Sequence, residues 1–400
     1  MSTPEFSLKW GKEKRLAGGH AWAFRNEIDL KGRDPGPGAL VRLKTHKGRP
    51  LGVGFLNTHS QLSFRLLARH NEFPLDATAD VIVAERLRQA LQLRGPRVPG
   101  AARRLVFSEG DWLPGLIVDD YNGVLVMQLQ SAGMEKQRGL IEAFLKKEAG
   151  AKALIERSDE AYRLREGLAA SAGLRFTAGL DEDFLAGVPF TEDGVQYLAD
   201  CIAGHKTGFF LDQRPARALA RSLAKDQDCL DLFCHSGAFS VAMAMGGAAS
   251  VLGLDQSEDA LGMARKHATL NKVQGRCSFE AADLFKQLRE RELQPQRYGL
   301  IVLDPPALAK DGDATGGALR GYRELNLRAL RLLKPGGLLL SCSCTGAVSE
   351  GQFGDAVHSA AVDAPATLRV LARLGAGPDH PSLLGAPETR YLKCLLLRKD

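Results

Sequence analysis

Acidic and thiol side chains recur where this sequence would end its strands. The apolar runs CLDLF, SVLGLD, CSFEA, GLIVLD and GLLLSCS finish in or beside Asp231, Asp255, Asp283, Asp304-Pro305-Pro306 and Cys342/Cys344. The four aspartates follow one another at separations of 24, 28 and 21 residues. A carboxylate at a strand end is partly desolvated and needs a hydroxyl, an amine or a cation to receive. Ligands of open α/β sheets sit beyond the carboxyl ends of the strands, so this series predicts a binding cleft. Each aspartate taken singly is more often a helix N-cap than a ligand. The ordered series is what points to a cofactor.

The first of these loops, Phe233-Cys234-His235-Ser236-Gly237-Ala238, holds a single glycine. It lacks the G-x-G-x-x-G spacing that brings backbone against a pyrophosphate. A nucleoside ligand without phosphates therefore fits better than a dinucleotide. The spacing sets Asp255 to accept from ribose hydroxyls, in charge-assisted bonds worth about 1.5–3 kcal/mol each. Asp283, at the next strand end, is placed to orient an adenine amino group.

The elements that must hold these groups fall into three regimes. Residues 1–72 contain short strand-like runs (ALVRLKTHKG, LGVGFLN, QLSFRLLAR) between Gly/Pro turns, the pattern of a small β-rich domain. Residues 73–188 open with a helical pattern, VIVAERLRQALQLR, and continue with a hairpin turning at Tyr121-Asn122-Gly123, as an α+β unit. From 189 to 400 strands alternate with helices, which predicts an α/β domain with a mostly parallel sheet covered on both faces. TLRVLARL and YLKCLLLRK read as a final antiparallel pair.

The chain has 400 residues and a net charge of +6. Residues 1–73 carry 13 Lys/Arg against 6 Asp/Glu, while the other 327 carry 40 against 41. The whole excess is thus concentrated at one end, the electrostatic footprint of a nucleic-acid-binding module. Within it Lys12, Lys14, Arg15, His20 and Arg25 cluster near Trp10, Trp22 and Phe24, cations for phosphates beside aromatics for bases or for a core. Seven cysteines without CxxC spacing argue against a disulfide framework and against a metal site. The absence of a long apolar run and of a secretory layout at the start predicts a cytoplasmic protein with no membrane partner.

The series D-L-F-C-H-S-G-A-F-S, L-D-Q-S, A-D-L-F and L-D-P-P resembles the motifs of class I S-adenosylmethionine methyltransferases. The upstream G-H-K-T-G-F-F-L-D-Q-R (204–214) is more restrictive and resembles the RlmI-type 23S ribosomal RNA cytosine-C5 methyltransferases. W-G-K-E-K-R-L-A-G-G-H-A-W-A-F is similar to the start of that family's RNA-binding PUA domain. G-D-W-L-P-G-L-I-V-D and E-R-S-D are similar to its middle domain, and R-G-Y-R-E-L-N and D-H-P to its late motifs. The resemblance implies a Rossmann-like methyltransferase domain after a PUA-like and an α+β domain, with S-adenosyl-L-methionine as cofactor and 23S ribosomal RNA as substrate. It leaves a homodimer open.

By that resemblance Lys206, Phe209, Asp212 and Gln213 belong to a segment over the cofactor. Asp231, Phe233 and Gly237 line its amino-acid end, Asp255 with Gln256 the ribose, and Asp283 with Leu284 the adenine. Carbon 5 of cytosine is a poor nucleophile until a thiolate adds at carbon 6, the covalent strategy of splitting one hard step into easier ones. The family pattern S-C-S-G aligns its nucleophile with Cys344, although Cys342 would share that face of a regular strand. Asp304 would orient the base, with Pro305 and Pro306 as a rigid bend that presents it. Arg320, Tyr322 and Arg323, after the Gly-rich D-G-D-A-T-G-G, are placed to reach substrate RNA. In place of the second cysteine that many such enzymes carry after D-P, this chain has Ala307. Two rival readings stand beside this one: an exocyclic-amine RNA methyltransferase, and a non-catalytic rRNA-binding assembly factor.

Overall fold

The computed structural model describes residues 3–309 and 315–400. Part of the Gly-rich stretch after Pro306, residues 311–314, lies outside the described residues. The chain forms two compact units. The first runs to Phe190 and regains Ala199–Leu211 and Pro378–Thr389; the second holds Thr191–Leu198, Asp212–Gly377 and Arg390–Asp400. Two segments beyond the boundary expected at 188/189 thus return to the first unit.

In the first unit, β1 (Glu5–Leu8), β2 (Trp22–Ala23), β3 (Ile28–Asp29), β4 (Ala39–Lys44), β5 (Pro50–Leu56) and β6 (Phe64–Arg69) form a sheet of order β2-β6-β5-β4-β1-β3. Only β1 and β4 pair in parallel. A second sheet, of order β11-β10-β9-β8-β7, joins β7 (Ala102–Phe107), β8 (Leu116–Tyr121), β9 (Val124–Leu129), β10 (Ala153–Arg157) and β11 (Ala172–Thr177). The β8–β9 hairpin turns at Asn122 (φ 52°) and Gly123 (φ 99°). Positive φ at both central residues is what a two-residue hairpin turn requires, and Asn-Gly supplies it at least cost. One apolar core contains Val53, Phe55 and Leu67 of the first sheet, Val106, Val118 and Met127 of the second, and Ile82, Val83 and Leu87 of helix Ala79–Arg94. The two N-terminal regimes that composition divides at 72/73 therefore pack as one body. A ribbon of β12 (Val188–Glu192) and β13 (Val195–Ala199) leads out of it.

The second unit contains a seven-stranded sheet of order β16-β15-β14-β17-β18-β20-β19. Its strands are β14 (Asp228–Leu232), β15 (Ser250–Asp255), β16 (Cys277–Ala281), β17 (Tyr298–Leu303), β18 (Leu333–Ser343), β19 (Leu368–Leu374) and β20 (Lys393–Lys399). β14 to β18 are parallel, and β20 runs antiparallel to both β18 and β19. Alternate side chains enter opposite layers. Leu230, Leu232, Ile301 and Leu303 pack on one face with helices Thr315–Leu332 and Glu350–Asp363. Cys229, Leu300, Val302, Leu340 and Cys342 pack on the other with helices Arg214–Leu223 and Ala238–Met245. Burial on both faces is why these strands read as continuous apolar runs. The strand order reverses between β14 and β17, and ligands of open α/β sheets bind beyond the carboxyl ends of the strands at such a switch point. Among the described residues no helix is long and apolar enough to cross a membrane.

Candidate functional site

The loop after β14 is coiled tightly. Phe233 (φ 64°), His235 (φ 47°) and Gly237 (φ 68°) all adopt left-handed backbone. Such a conformation costs a non-glycine residue about 1–2 kcal/mol, a strain typical of binding loops. At Gly237 there is a second constraint: a Cβ there would lie 2.7 Å from Ala264 Cβ and 3.0 Å from Phe279 Cε1. The loop is thus pressed against the helix Glu258–Leu270 and β16.

Asp231 ends β14 fully buried. Its Oδ2 accepts from Ser240 Oγ at 2.6 Å, and its Oδ1 has no partner among the described residues. Burial, with Asp304 and Asp255 as neighbouring like charges, pushes its carboxyl up to about 7. A buried carboxyl with an orphaned oxygen is a receptor for an ammonium or another donor. Asp255, at the end of β15, accepts from His235 N–H at 2.9 Å and from Ser257 N–H at 3.0 Å, one bond per oxygen. Each oxygen keeps a second lone pair for a hydroxyl, and the next residue, Gln256, is exposed. Asp283 caps helix Leu284–Glu292, accepting from Lys286 N–H at 3.2 Å, and Leu284 beneath it is buried. The cap reading and the ligand reading thus fall on the same exposed residue.

Asp304 follows β17 and is half-buried; its Oδ1 accepts from Gln213 Nε2 at 2.8 Å. Gln213 is buried, and its Oε1 also accepts from Cys394 Sγ at 3.6 Å. Asp212 accepts from the Tyr391 hydroxyl. Cys344 lies just past β18, half-buried, with its Sγ 3.9 Å from the carbonyl oxygen of Pro305. Pro305 is buried and Pro306 exposed. Cys342 is different: it is wholly buried opposite Cys394 in the β18–β20 ladder, and burial and then Cys394 push its thiol far up. The thiol left open as an alternative to Cys344 is therefore part of the core.

Three residues expected to contact ligands, Tyr322, Phe209 and His20, are buried. Tyr322 is fully buried, its hydroxyl 2.7 Å from Thr345 Oγ1 and accepting from Ser343 Oγ at 3.0 Å. It braces the segment around Cys344 and presents no ring to RNA. Phe209 is buried in the first unit, edge-on to Phe190 at 4.9 Å, so its ring packs a core. Lys206, also in the first unit, is exposed with its amine 4.5 Å over the Phe210 ring. His20 is buried as well: its Nδ1 accepts from Trp22 N–H at 3.0 Å and its Nε2 lies 3.1 Å from Glu388. It is a structural group in the six-stranded sheet's core.

Lys12 and Lys14 are exposed, as phosphate contacts must be. Arg15 is partly spent on Glu27 and stacks 4.5 Å from the Phe24 ring. Trp10 is 81% exposed, whereas Trp22 donates its Nε1–H to Glu109 at 2.9 Å. Arg320 is exposed on helix Thr315–Leu332, and Arg323 pairs with Asp363. Among the described residues no group of His, Cys, Asp and Glu is arranged to hold a metal ion.

Sequence reasoning missed Lys393, Ser343, Thr345 and Asn326. Ser341 Oγ donates to Asn326 Oδ1 at 2.7 Å, and Lys393 Nζ donates to the carbonyls of Thr345 and Val348, each at 2.7 Å. The sequence pattern paired YLKCLLLRK with TLRVLARL, as β20 and β19 do, but not with β18, and the pairing with β18 is what brings Lys393 here.

Residues 110–398 match the S-adenosylmethionine-dependent methyltransferase family, and residues 6–69 a PUA-like domain. The chain is 37% identical over 399 residues, all of both proteins, to ribosomal RNA large subunit methyltransferase I of Tolumonas auensis. It is 34% identical over 394 residues to the protein of that name from Salmonella arizonae, covering 98% of this chain and 96% of that one. A SAM-dependent methyltransferase structure from Streptococcus mutans superposes with a TM-score of 0.82 at 18% identity, covering 99% of this chain and all of the other. Another methyltransferase, solved with S-adenosylhomocysteine, superposes over all of both chains with a TM-score of 0.83 at 18% identity. With the acidic series at the strand ends and these full-length relatives, the chain belongs to the ribosomal RNA large subunit methyltransferase I family, S-adenosylmethionine-dependent RNA methyltransferases with a PUA-like N-terminal domain.

Proposed function

We propose that this RNA methyltransferase forms 5-methylcytosine in large-subunit ribosomal RNA, with Cys344 as the nucleophile and Asp304 as the group that orients the base. The observation that carries this reading is the Cys344 thiol, partly accessible and 3.9 Å from the carbonyl of Pro305, the residue that follows Asp304 in the chain. Asp231, Asp255 and Asp283 would hold the amino-acid, ribose and adenine parts of the cofactor, and the orphaned Oδ1 of Asp231 suits its ammonium. Bound there, S-adenosylmethionine supplies an electrophilic methyl group.

The Cys344 thiolate adds to cytosine C6, and the ring electrons move to make C5 nucleophilic. Asp304, anchored by Gln213, accepts from the exocyclic amine and, when protonated, donates to N3 as that nitrogen gains electrons. Once C5 is methylated, its proton passes to solvent water and the thiolate is expelled from C6, which restores the aromatic ring. The exposed Lys12 and Lys14 supply salt-sensitive phosphate contacts, and the reading places the protein with its RNA in the cytoplasm.

The test is covalent trapping on ribosomal RNA transcribed with 5-fluorocytidine, since fluorine cannot leave as a cation and the adduct persists. A methyl-dependent covalent complex, absent in Cys344→Ala, is the expected result. Methyl incorporation with no trapped complex would point to an exocyclic amine instead, and neither to a binding factor.

A further inference from the structure

The Cys344 sulfur lies 3.9 Å from the Pro305 carbonyl, one residue along the chain from the Asp304 carboxylate, and a carboxylate is the wrong charge to have near a nucleophilic thiol. A free thiol is only a few per cent ionised at neutral pH, and an adjacent anion lowers that fraction further. Besides Asp304, the Tyr322 hydroxyl faces the same segment from helix Thr315–Leu332. Some group must offset this. The β18–β20 ladder brings one.

Lys393 is paired with Ser343, the residue before Cys344, in antiparallel register. Its side chain is buried and reaches past the end of β18, where Nζ donates to the carbonyl of Thr345, the residue after Cys344, and to that of Val348, both at 2.7 Å. Both bonds go to neutral oxygens rather than to a carboxylate. An ammonium taken out of water without a carboxylate bond is costly, and it is retained where its charge or its fixed geometry is used. Here the strand pairing holds the residue before Cys344, and the ammonium holds the residue after it. We propose that Lys393 is a positioning residue for Cys344: its ammonium stabilises the thiolate electrostatically while its two hydrogen bonds fix the turn that presents the sulfur. The thiol proton is lost to solvent, so no further partner is needed. Consistent with this, burial pushes the Lys393 amine down while the thiols of Cys344 and Cys394 and the carboxylate of Glu350 hold it up. The proposal rests on Cys344 being the nucleophile, but its test does not require cytosine chemistry.

The experiment measures alkylation of Cys344 by iodoacetamide against pH, read on its own peptide by mass so that the other cysteines do not interfere. No RNA is present. In the unmodified protein the inflection is expected below the ordinary thiol value of about 8.5. In Lys393→Met it is expected to rise by about one pH unit or more, the size of effect a nearby charge exerts, and Lys393→Arg is expected to restore part of the difference. The rising limb of kcat against pH should move in the same direction. An unmodified protein whose Cys344 titrates at or above the ordinary thiol value overturns the proposal without any variant, even where Lys393→Met does not fold. So does a folded Lys393→Met protein with an unmoved inflection. A lowered inflection combined with a failed fluorocytidine trap would sink the cytosine-C5 reading and leave this one standing.

Discussion

The sulfur of Cys344 lies 3.9 Å from the carbonyl oxygen of Pro305, while Cys342, two residues earlier, is sealed against Cys394 on β20. Two thiols two residues apart thus differ in kind, because β18 ends between them at Ser343. Cys344→Ala should lower methylation by at least about 10³-fold with cofactor affinity retained, as loss of a covalent group does. Cys342→Ala should keep activity and cost about 1 kcal/mol of stability through the small cavity it leaves. Turnover and denaturant titration of the two variants check this; equal losses of activity would contradict the assignment.

Asp231 makes the cofactor-free protein pH-sensitive. Its carboxyl is pushed from 3.8 up to about 7, so the folded state keeps a proton that the unfolded chain loses. The resulting stability is complete below the unfolded value and is lost as pH rises through the folded one, between 3.8 and about 7. An ammonium on the orphaned oxygen favours the ionised form, so cofactor binding near pH 6 should release a proton. Calorimetry in buffers of different ionisation enthalpy measures that release. It should vanish in Asp231→Asn, whose apoprotein should also lose the decline in stability over that window.

Lys12 and Lys14 should contribute to RNA affinity without sequence preference. Replacing either with Ala should reduce the slope of log affinity against log salt by about 0.7–0.9. His20→Ala should leave that slope unchanged and lower stability instead, because His20 is bonded to Trp22 and faces Glu388 inside the unit. Filter binding across a salt series, with a melting curve for each variant, separates the two behaviours.

Tyr322→Phe removes the hydroxyl that Ser343 and Thr345 share. The expected cost is about 1–3 kcal/mol for the buried polar groups left behind. kcat should fall as the Cys344 segment loosens, with KM for RNA unchanged. A KM effect alone would restore Tyr322 to the RNA-contacting face.

The sequence by itself determined the sheet of the second unit, its covered faces and the carboxylates at its strand ends. Those features are written in local apolar runs and in the residue that terminates each run. It also determined the β8–β9 turn, since Asn122-Gly123 tolerates the backbone that turn demands. Only the tertiary structure decided which polar residues face the cleft and which are buried. His20, Phe209 and Tyr322 carry side chains that serve a ligand or a core equally well, and the choice depends on elements distant in sequence. Lys393 is the sharpest case. It reaches the segment after Cys344 because β20 inserts between β18 and β19, and strand pairing between distant segments leaves no mark in local sequence.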